Sequence, residues 1–217
     1  MRGVRLGTPV FLGYVPIGAA FGIVATAAGF TVAQTAACSA LVFAGAGQFI
    51  AVNLLSAGAG LFGVLFATAI LNLRHVLFSA TLAPYLRSTP RSMQFPLAIT
   101  TTDETFGVNI TDLRAGGADE WSMLGVGVIS WSGWLLGSTL GSAATSLIGD
   151  PSKWGVQFAM PAMFTALLVA QVTGRRHLVA AIVAAVLALA LAPLLPGAWP
   201  VILGAMGAAT AATVMRK

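Results

Sequence analysis

The sequence predicts an all-α membrane protein, a polytopic helical bundle of seven or eight hydrophobic segments. Of its 217 residues, 58% are hydrophobic and only 8% are charged, and the mean hydropathy is +0.91. Soluble domains carry about 25% charged residues, so this composition indicates an integral membrane protein. Helices are the expected spanning elements because a lipid-exposed backbone must satisfy its own hydrogen bonds. The long continuous apolar runs do not fit a membrane barrel, whose strands alternate between apolar and polar residues.

The hydrophobic segments follow one another along the whole chain, so we expect a single transmembrane domain over residues 1–217. Each segment is close to the roughly 20 apolar residues that cross a bilayer. The fourth is the weakest, because a polar run over residues 100–104 interrupts it. The eight segments fall near residues 7–29, 34–56, 58–86, 93–113, 122–148, 155–173, 177–195 and 198–214.

Basic residues concentrate at chain ends and loops, which is typical of membrane anchoring and orientation rather than nucleic-acid binding. The two clearest basic loops contain Arg87 with Arg91 and Arg175 with Arg176. Placing both loops in the cytoplasm requires an even number of crossings between them, and three candidate segments lie there. A re-entrant or broken fourth segment removes the conflict. We favour this arrangement, in which the amino terminus faces outward.

The third segment contains Asn72-Leu73-Arg74-His75 in the middle of an apolar run. An arginine near the centre of a spanning helix costs about 3 kcal/mol, so Arg74 should face protein, a partner or water. At about 100° per residue, Thr68, Asn72, His75 and Ser79 form one polar stripe with Arg74 to one side. The stripe predicts the wall of a solute or ion pathway. The alternative is that Arg74 lies near a helix end and reaches the headgroups.

Two adjacent acids, Asp103 and Glu104, interrupt the fourth segment. Neighbouring residues on a helix point about 100° apart, so the two carboxylates should have different partners. One could pair with Arg74, which would reduce the cost of burying both charges. The other could carry a coupling proton. The alternative is a solvated loop or helix start with Asp103 as its cap.

The second segment contains Gly45-Ala46-Gly47-Gln48. Glycines let the backbone approach a ligand or another helix, and Gln48 offers hydrogen-bond donors and acceptors within an apolar run. We predict a helix break at Gly45 and Gly47 that supplies backbone contacts to a substrate. Close helix packing with one amide bond between helices explains the pattern equally well.

Further helix breaks are predicted at Pro16 and Gly18 in the first segment and at Pro161 in the sixth, because proline removes a backbone donor. Residues 79–86 and 188–195 end the third and seventh segments with similar sequences. With a fourth segment that does not cross, the chain could form two inverted three-helix repeats, as in secondary transporters. Chance similarity is an equal alternative in a sequence so rich in alanine and leucine.

Signatures of enzymes and cofactor sites are missing from the sequence. It has no His-Glu-x-x-His, Gly-x-Ser-x-Gly, Walker or Gly-x-Gly-x-x-Gly motif, and no cysteine cluster accompanies its two histidines. We therefore expect a protein that is not an enzyme and uses no cofactor or metal.

The motifs described above resemble the AzlC family, the large subunits of branched-chain amino acid exporters. The Asn-Leu-Arg-His and Thr-Asp-Glu motifs are fairly specific together, and the order of motifs along the chain agrees with the family. One departure is Gly47, where the family has Ser or Ala. The resemblance rests on residues 5–22, 42–49, 72–75, 79–86, 102–106 and 158–161.

The resemblance implies an inner-membrane, multi-pass permease that exports leucine, isoleucine and valine, and methionine as a further substrate. It also implies a small AzlD-like membrane partner and the proton gradient as the energy source. The main alternative is a membrane scaffold that transports nothing and whose buried charges bind another subunit.

Overall fold

The computed structural model describes residues 1–148, 174–195 and 199–214, together with single positions between 153 and 172. Every regular element in these residues is helical. The elements are α1 (Arg2–Ala27), α2 (Val32–Leu41), α3 (Gly45–Ser56), α4 (Leu61–Asn72), α5 (Arg74–Leu82), a 3₁₀ helix (Ala83–Leu86), α6 (Arg91–Ile99), α7 (Asp103–Arg114), α8 (Glu120–Ile148), α9 (Arg175–Leu191) and α10 (Trp199–Val214).

The chain packs as two compact units, Met1–Met160 and Pro161–Lys217. The second unit contains α9 and α10, which approach closely at Gly204, where a Cβ would lie 2.7 Å from the Ala184 carbonyl oxygen. All the charged and polar groups discussed below belong to the first unit.

In the first unit, α1 and α8 lie side by side and run in the same direction. A Cβ on Gly3 would collide with the Ser122 carbonyl, and one on Gly22 would collide with the Ser138 carbonyl. The later residue of α1 contacts the later residue of α8, so the two helices are parallel. Small residues let helix backbones touch in this way and gain van der Waals contact along their length.

Residues 32–56, which we call hairpin 1, fold back on themselves instead of crossing. Near the start of α2, Thr35 accepts a hydrogen bond from the Ser142 hydroxyl over 3.4 Å. Near its end, the Ala40 carbonyl accepts one from Trp131 Nε1 over 3.2 Å. As α2 advances, its partners on α8 move toward the start of that helix. The α2 helix therefore runs against α8 and α1.

The α3 helix then returns in the direction of α1. Phe43, in the link before α3, contacts the ring of Tyr14 with 5.8 Å between centroids. Phe49, one turn into α3, contacts the ring of Phe21 with 5.4 Å between centroids. The chain thus reverses at residues 42–44, where α2 ends in an extended residue and α3 begins.

Residues 91–114, which we call hairpin 2, enter from the opposite side, where α1 begins. The start of α6 lies beside Trp121, since Met93 and Trp121 line one cavity. At the tip, Thr102 bonds to Tyr14 over 2.7 Å. Toward the end of α7, Asp112 pairs with Arg2 over 2.6 Å. The α7 helix therefore descends from the middle of α1 to its beginning.

Glycine closes the turns that reverse the chain. Gly29, Gly58 and Gly116 have φ values of +92°, +75° and +72°, the left-handed region that suits glycine. After each glycine, the next amide donates to the carbonyl five residues earlier, as from Phe30 to Ala25. This is the hydrogen bond of a Schellman helix end, and it lets α1, α3 and α7 each stop within one turn.

The remaining span is α4 followed by α5, which carries the chain from the end of α3 to the start of hairpin 2. The helix is interrupted at Leu73, whose amide donates to the Ile70 carbonyl over 3.2 Å. Farther along, Leu82 packs in one cluster with Met123, near the beginning of α8. Three helices in the described residues are long and apolar enough to cross a membrane, namely Arg2–Ala27, Leu61–Leu86 and Glu120–Thr145.

These observations correct several predictions. The second segment does not cross as one helix, because tertiary contacts fold it into hairpin 1. The break predicted within Gly45–Gln48 falls at residues 42–44, and Gly45 and Gly47 form the first turn of α3. The break predicted at Pro16 and Gly18 is wrong, because α1 is continuous through Pro9 and Pro16.

In the sixth segment, Pro161 has helical conformation, while Met160 lies outside the described residues. The inverted repeats stay a prediction, since most of residues 149–173 are not described. The break predicted in the fourth segment is confirmed by the separation of α6 from α7.

Candidate functional site

The tips of the two hairpins meet at Tyr14, midway along α1. The Tyr14 side chain is buried, with 7% exposure. Its hydroxyl donates to Glu104 and shares a 2.7 Å hydrogen bond with Thr102, both in hairpin 2. Its ring meets Phe43 of hairpin 1 and Trp134 of α8 edge to face, with centroid distances of 5.8 and 5.6 Å. One side chain therefore links both hairpins to the long helices.

Threonines build the tip of hairpin 2. The hydroxyls of Thr100 and Thr101 donate to carbonyls one turn earlier in α6, over 2.8 and 2.7 Å. Thr102 caps α7, and its backbone amide donates to the Thr105 hydroxyl over 2.7 Å. These bonds satisfy backbone groups that the broken helix leaves open, a requirement for irregular backbone at membrane depth.

Arg74 forms an ion pair with Asp103, with 2.9 Å between Nη1 and Oδ2. The side chains are 23% and 13% exposed, so the pair is mostly removed from solvent. Arg74 follows the interruption at Leu73, and Asp103 is the first residue of α7. The predicted pairing of Arg74 with one of the two acids is confirmed.

The two acids have different partners, as their spacing predicts. Asp103 pairs with Arg74, whereas Glu104 accepts a hydrogen bond from Tyr14. The residue that caps α7 is Thr102. Our alternative interpretation of the sequence assigned this role to the next residue, Asp103. Both acids lie in the first turn of α7, where the helix dipole favours negative charge.

The first turn of α3 presents backbone amides without any acidic side chain. Its capping residue is Ala44, which offers no side-chain acceptor. A Cβ on Gly45 would lie 2.7 Å from the Trp134 ring, and one on Gly47 would lie 3.0 Å from Asn72 Nδ2. The glycines therefore allow α8 and α4 to approach this helix start, whose amides carry partial positive charge.

Two of the predicted pathway residues, Gln48 and His75, form contacts with other groups of the protein. Gln48 is 2% exposed, accepts a 2.8 Å hydrogen bond from Trp134 Nε1, and donates toward Cys38 and Ser39 over 3.3 and 3.4 Å. This is the bond between helices that we considered as its alternative role.

His75 Nδ1 lies 3.1 Å from the Asn72 carbonyl, and its ring packs edge to face on Phe78. In the predicted stripe, the Thr68 hydroxyl donates to the Val64 carbonyl over 2.8 Å. In contrast, Asn72 Oδ1 and Arg74 Nε are buried without a hydrogen-bond partner in the described part of the chain.

Sequence reasoning missed Tyr14, Thr102 and Trp134. The only signal at Tyr14 was a hydroxyl-bearing ring in an apolar run, and aromatic residues are common in membrane helices. Trp134 lies within the small-residue series Gly133-Gly137-Gly141, whose spacing of four could have identified the α8 face that contacts α1. Within the described residues, no three His, Cys, Asp or Glu side chains gather as metal ligands.

Residues 9–148, which contain both hairpins and the site, match the family described as AzlC protein. The chain belongs to the AzlC family. A membrane protein of Archaeoglobus fulgidus is 33% identical over 87% of this chain and 83% of its own length. The inner membrane protein YgaZ of Escherichia coli is 30% identical over 82% of this chain and 75% of its own length.

The branched-chain amino acid transport protein AzlC of Bacillus subtilis is 27% identical over 75% of this chain and 64% of its own length. No solved structure matches the chain. The family match confirms the resemblance inferred from the sequence motifs, and it agrees with a membrane protein linked to transport.

Proposed function

We propose that this AzlC family protein exports branched-chain amino acids across the bacterial cytoplasmic membrane, driven by protons and together with a small AzlD-like subunit. The observation that carries the proposal is the Arg74–Asp103 pair, which follows Asn72 closely in the chain. The side chain of Asn72 lies against the uncharged start of α3 at Gly47. Such costly charges inside a membrane protein usually serve a substrate or ion. The name of the Bacillus subtilis relative supports the substrate class.

The site is suited to a zwitterion. A free amino acid carries a carboxylate and an ammonium group close together, and it needs a partner of opposite charge for each. Arg74 and the amides of α3 suit the carboxylate, because broken helices in transporters direct their amino ends at such groups. Asp103 suits the ammonium. The ion pair would then satisfy the two protein charges while the site is empty.

Glu104 is the proton carrier in this proposal. Asp103 is paired with the Arg74 guanidinium, whereas Glu104 accepts a hydrogen bond from the Tyr14 hydroxyl. A hydroxyl can donate to a charged carboxylate or accept from a neutral one, so the bond to Tyr14 can persist in both protonation states.

The distribution of arginines supports a cytoplasmic amino terminus. Arg2 and Arg5 lie in the first turn of α1, Arg87 follows the 3₁₀ helix, Arg91 begins α6, and Arg114 ends α7. With two hairpins and three spans in residues 1–148, all five lie on the side where α1 begins. The turns on the other side, at residues 28–31 and 57–60, have no charged residue. The positive-inside rule then assigns the arginine-rich side to the cytoplasm.

This orientation differs from the outward amino terminus that the sequence alone favours. The sequence-based arrangement counts the second segment as a crossing. A folded hairpin 1 removes that crossing and removes the conflict with Arg2 and Arg5.

Leucine efflux tests the function. Cells without their own branched-chain exporters would express the chain with its AzlD-like partner and be loaded with a leucine-containing dipeptide. We expect faster leucine release than with the empty vector, and loss of the difference when a protonophore collapses the proton gradient. Release equal to the vector would contradict export. Release unaffected by the protonophore would contradict the proton coupling but not the export.

The scaffold alternative makes a different prediction for the purified complex. A transporter should gain thermal stability from leucine, because a ligand that binds only the folded state stabilises it. A scaffold should not. The pairing of Arg74 with Asp103 argues against the scaffold, because Arg74 already has an oppositely charged partner within this chain.

A further inference from the structure

A cavity of about 290 Å³ lies between the second span and the ascending arm of hairpin 2. This volume is near the lower limit for small-molecule sites, which suits a solute of few atoms. The side chains of Leu82 and Leu97 are buried and form its apolar walls, and Ala83 and Ala98 leave the space open. Polar residues lie at both ends of this apolar section.

The two ends of the cavity have different positions in the fold. Arg87 and Gln94 lie at the loop end, on the arginine-rich side of the protein. Ser79 and Thr101 lie at the inner end, about 12 Å away along the span at 1.5 Å per residue. Thr101 is adjacent to Thr102, which bonds to Tyr14. The inner end therefore lies next to the candidate site.

We propose that this cavity is the cytoplasmic vestibule of the exporter and binds an aliphatic amino acid before it reaches the Arg74–Asp103 pair. This inference rests on the proposed function and adds a second subsite to it. The Arg87 guanidinium attracts the carboxylate at the mouth. Leu82 and Leu97 contact the aliphatic side chain.

A short zwitterion fits the cavity better than a lipid chain does. An acyl chain gains energy from a continuous apolar path, about 0.8 kcal/mol for each buried CH₂. Here the path ends at two hydroxyl-bearing residues, Ser79 and Thr101. The Thr101 hydroxyl already donates to the Leu97 carbonyl, so its oxygen remains able to accept from an ammonium group.

Gln94 supports the same ligand. Its amide nitrogen donates to the carbonyls of Leu86 and Thr89, over 3.2 and 2.8 Å. Those bonds hold the connection between the 3₁₀ helix and α6 in place. They also leave the Gln94 side-chain oxygen as an acceptor at the mouth, next to Arg87.

Protection of a cysteine from modification tests binding without measuring transport. In a Cys38→Ser background, which keeps an acceptor for Gln48, Ala98→Cys would be reacted with a small water-soluble thiol reagent in proteoliposomes containing the partner subunit. Leucine at ten times its Kd should slow the reaction about tenfold, by simple occupancy. The matched control is Ile99→Cys, which is exposed but does not line the cavity.

Leucine efflux completes the test. Ala98→Trp would fill the cavity and should lower the initial rate about tenfold, whereas Ile99→Trp should change it less than about twofold. Equal effects of the two tryptophans, or no protection of Ala98→Cys by leucine, would overturn the vestibule. Labelling of Ala98→Cys in detergent but not in liposomes would also overturn it, because lipid would then fill the cavity. Failure of the wild-type protein to export leucine would refute the proposed function, while the protection result would still decide whether the cavity binds leucine.

Discussion

The two hairpins reach the same level of α1 but present opposite electrostatic surfaces there. Hairpin 1 offers the start of α3, which has glycines and no charged side chain in its first turn. Hairpin 2 offers the start of α7, where Asp103 and Glu104 follow the capping threonine. A helix start carries partial positive charge, so the acids neutralise it in hairpin 2 while hairpin 1 leaves it open. We therefore propose that hairpin 1 is suited to a carboxylate and hairpin 2 to cations.

Both hairpins require the chain to reverse within the membrane. Cysteine accessibility tests this reversal with the largest expected effect. In a Cys38→Ser background, Val32→Cys and Ala57→Cys flank hairpin 1, and both residues are exposed. We expect an impermeant thiol reagent added outside cells to label both. Ser88→Cys and Arg114→Cys, which flank hairpin 2, should react only after the membrane is permeabilised.

This labelling result is nearly all-or-none because the bilayer core is about 30 Å thick. If Val32→Cys and Ala57→Cys react from opposite sides, residues 32–56 cross the membrane and the reversal is wrong. The same comparison applies to the two positions around hairpin 2.

Removal of one charge from the Arg74–Asp103 pair should have the next largest effect. Arg74→Gln leaves Asp103 buried without its partner, which costs about 3 kcal/mol or more when a buried pair is broken. We expect loss of leucine efflux and a lower midpoint of thermal unfolding in detergent. Asp103→Asn should likewise abolish efflux.

The double variant Arg74→Gln with Asp103→Asn separates stability from function. It contains no unpaired charge, so its unfolding midpoint should recover toward the wild type while efflux stays absent. Recovery of efflux in the double variant would mean that the charges only support the fold.

Part of this site can be predicted from the sequence. An arginine inside an apolar run needs a partner, and adjacent acids on a helix point in different directions; these two facts anticipated the ion pair and the separate environment of Glu104. The run of threonines and acids at residues 100–104 likewise indicated the break between α6 and α7.

Hairpin 1 could not be predicted in the same way. Its two helices together have the length and composition of one spanning helix, so hydropathy cannot distinguish a reversal from a crossing. The reversal is specified by contacts with distant residues, such as Phe49 on Phe21 and Gln48 on Trp134. Tyr14 was missed for the same reason, because its partners lie about 90 residues away in the sequence.

A smaller effect should follow from removal of the hydroxyl that joins the hairpins. Tyr14→Phe keeps the edge-to-face contacts with Phe43 and Trp134 but loses the bonds to Thr102 and Glu104. A hydrogen bond to a charged group contributes about 1.5 to 3 kcal/mol, so we expect efflux to fall by about tenfold or more. Leucine binding by the purified complex should change little, because the charges that suit the zwitterion remain.

The pH dependence of efflux distinguishes a coupling role for Tyr14 from a packing role. A changed pH profile of efflux in Tyr14→Phe would indicate a coupling role, because this hydroxyl is the hydrogen-bond donor to Glu104. A uniform reduction in rate with an unchanged profile would show that the hydroxyl only holds the tip of hairpin 2.

The smallest expected effects come from the addition of one methyl group to each hairpin by a glycine-to-alanine substitution. Gly45→Ala in hairpin 1 places a Cβ 2.7 Å from the buried Trp134 ring, whereas Gly107→Ala in hairpin 2 has no neighbour within 4 Å in the described structure. Overpacking costs about 1 to 3 kcal/mol, while alanine is better than glycine inside a helix by about 1 kcal/mol. The midpoint of thermal unfolding should therefore fall for Gly45→Ala and rise slightly for Gly107→Ala. Shifts of the same sign would mean that the start of α3 is not packed against Trp134.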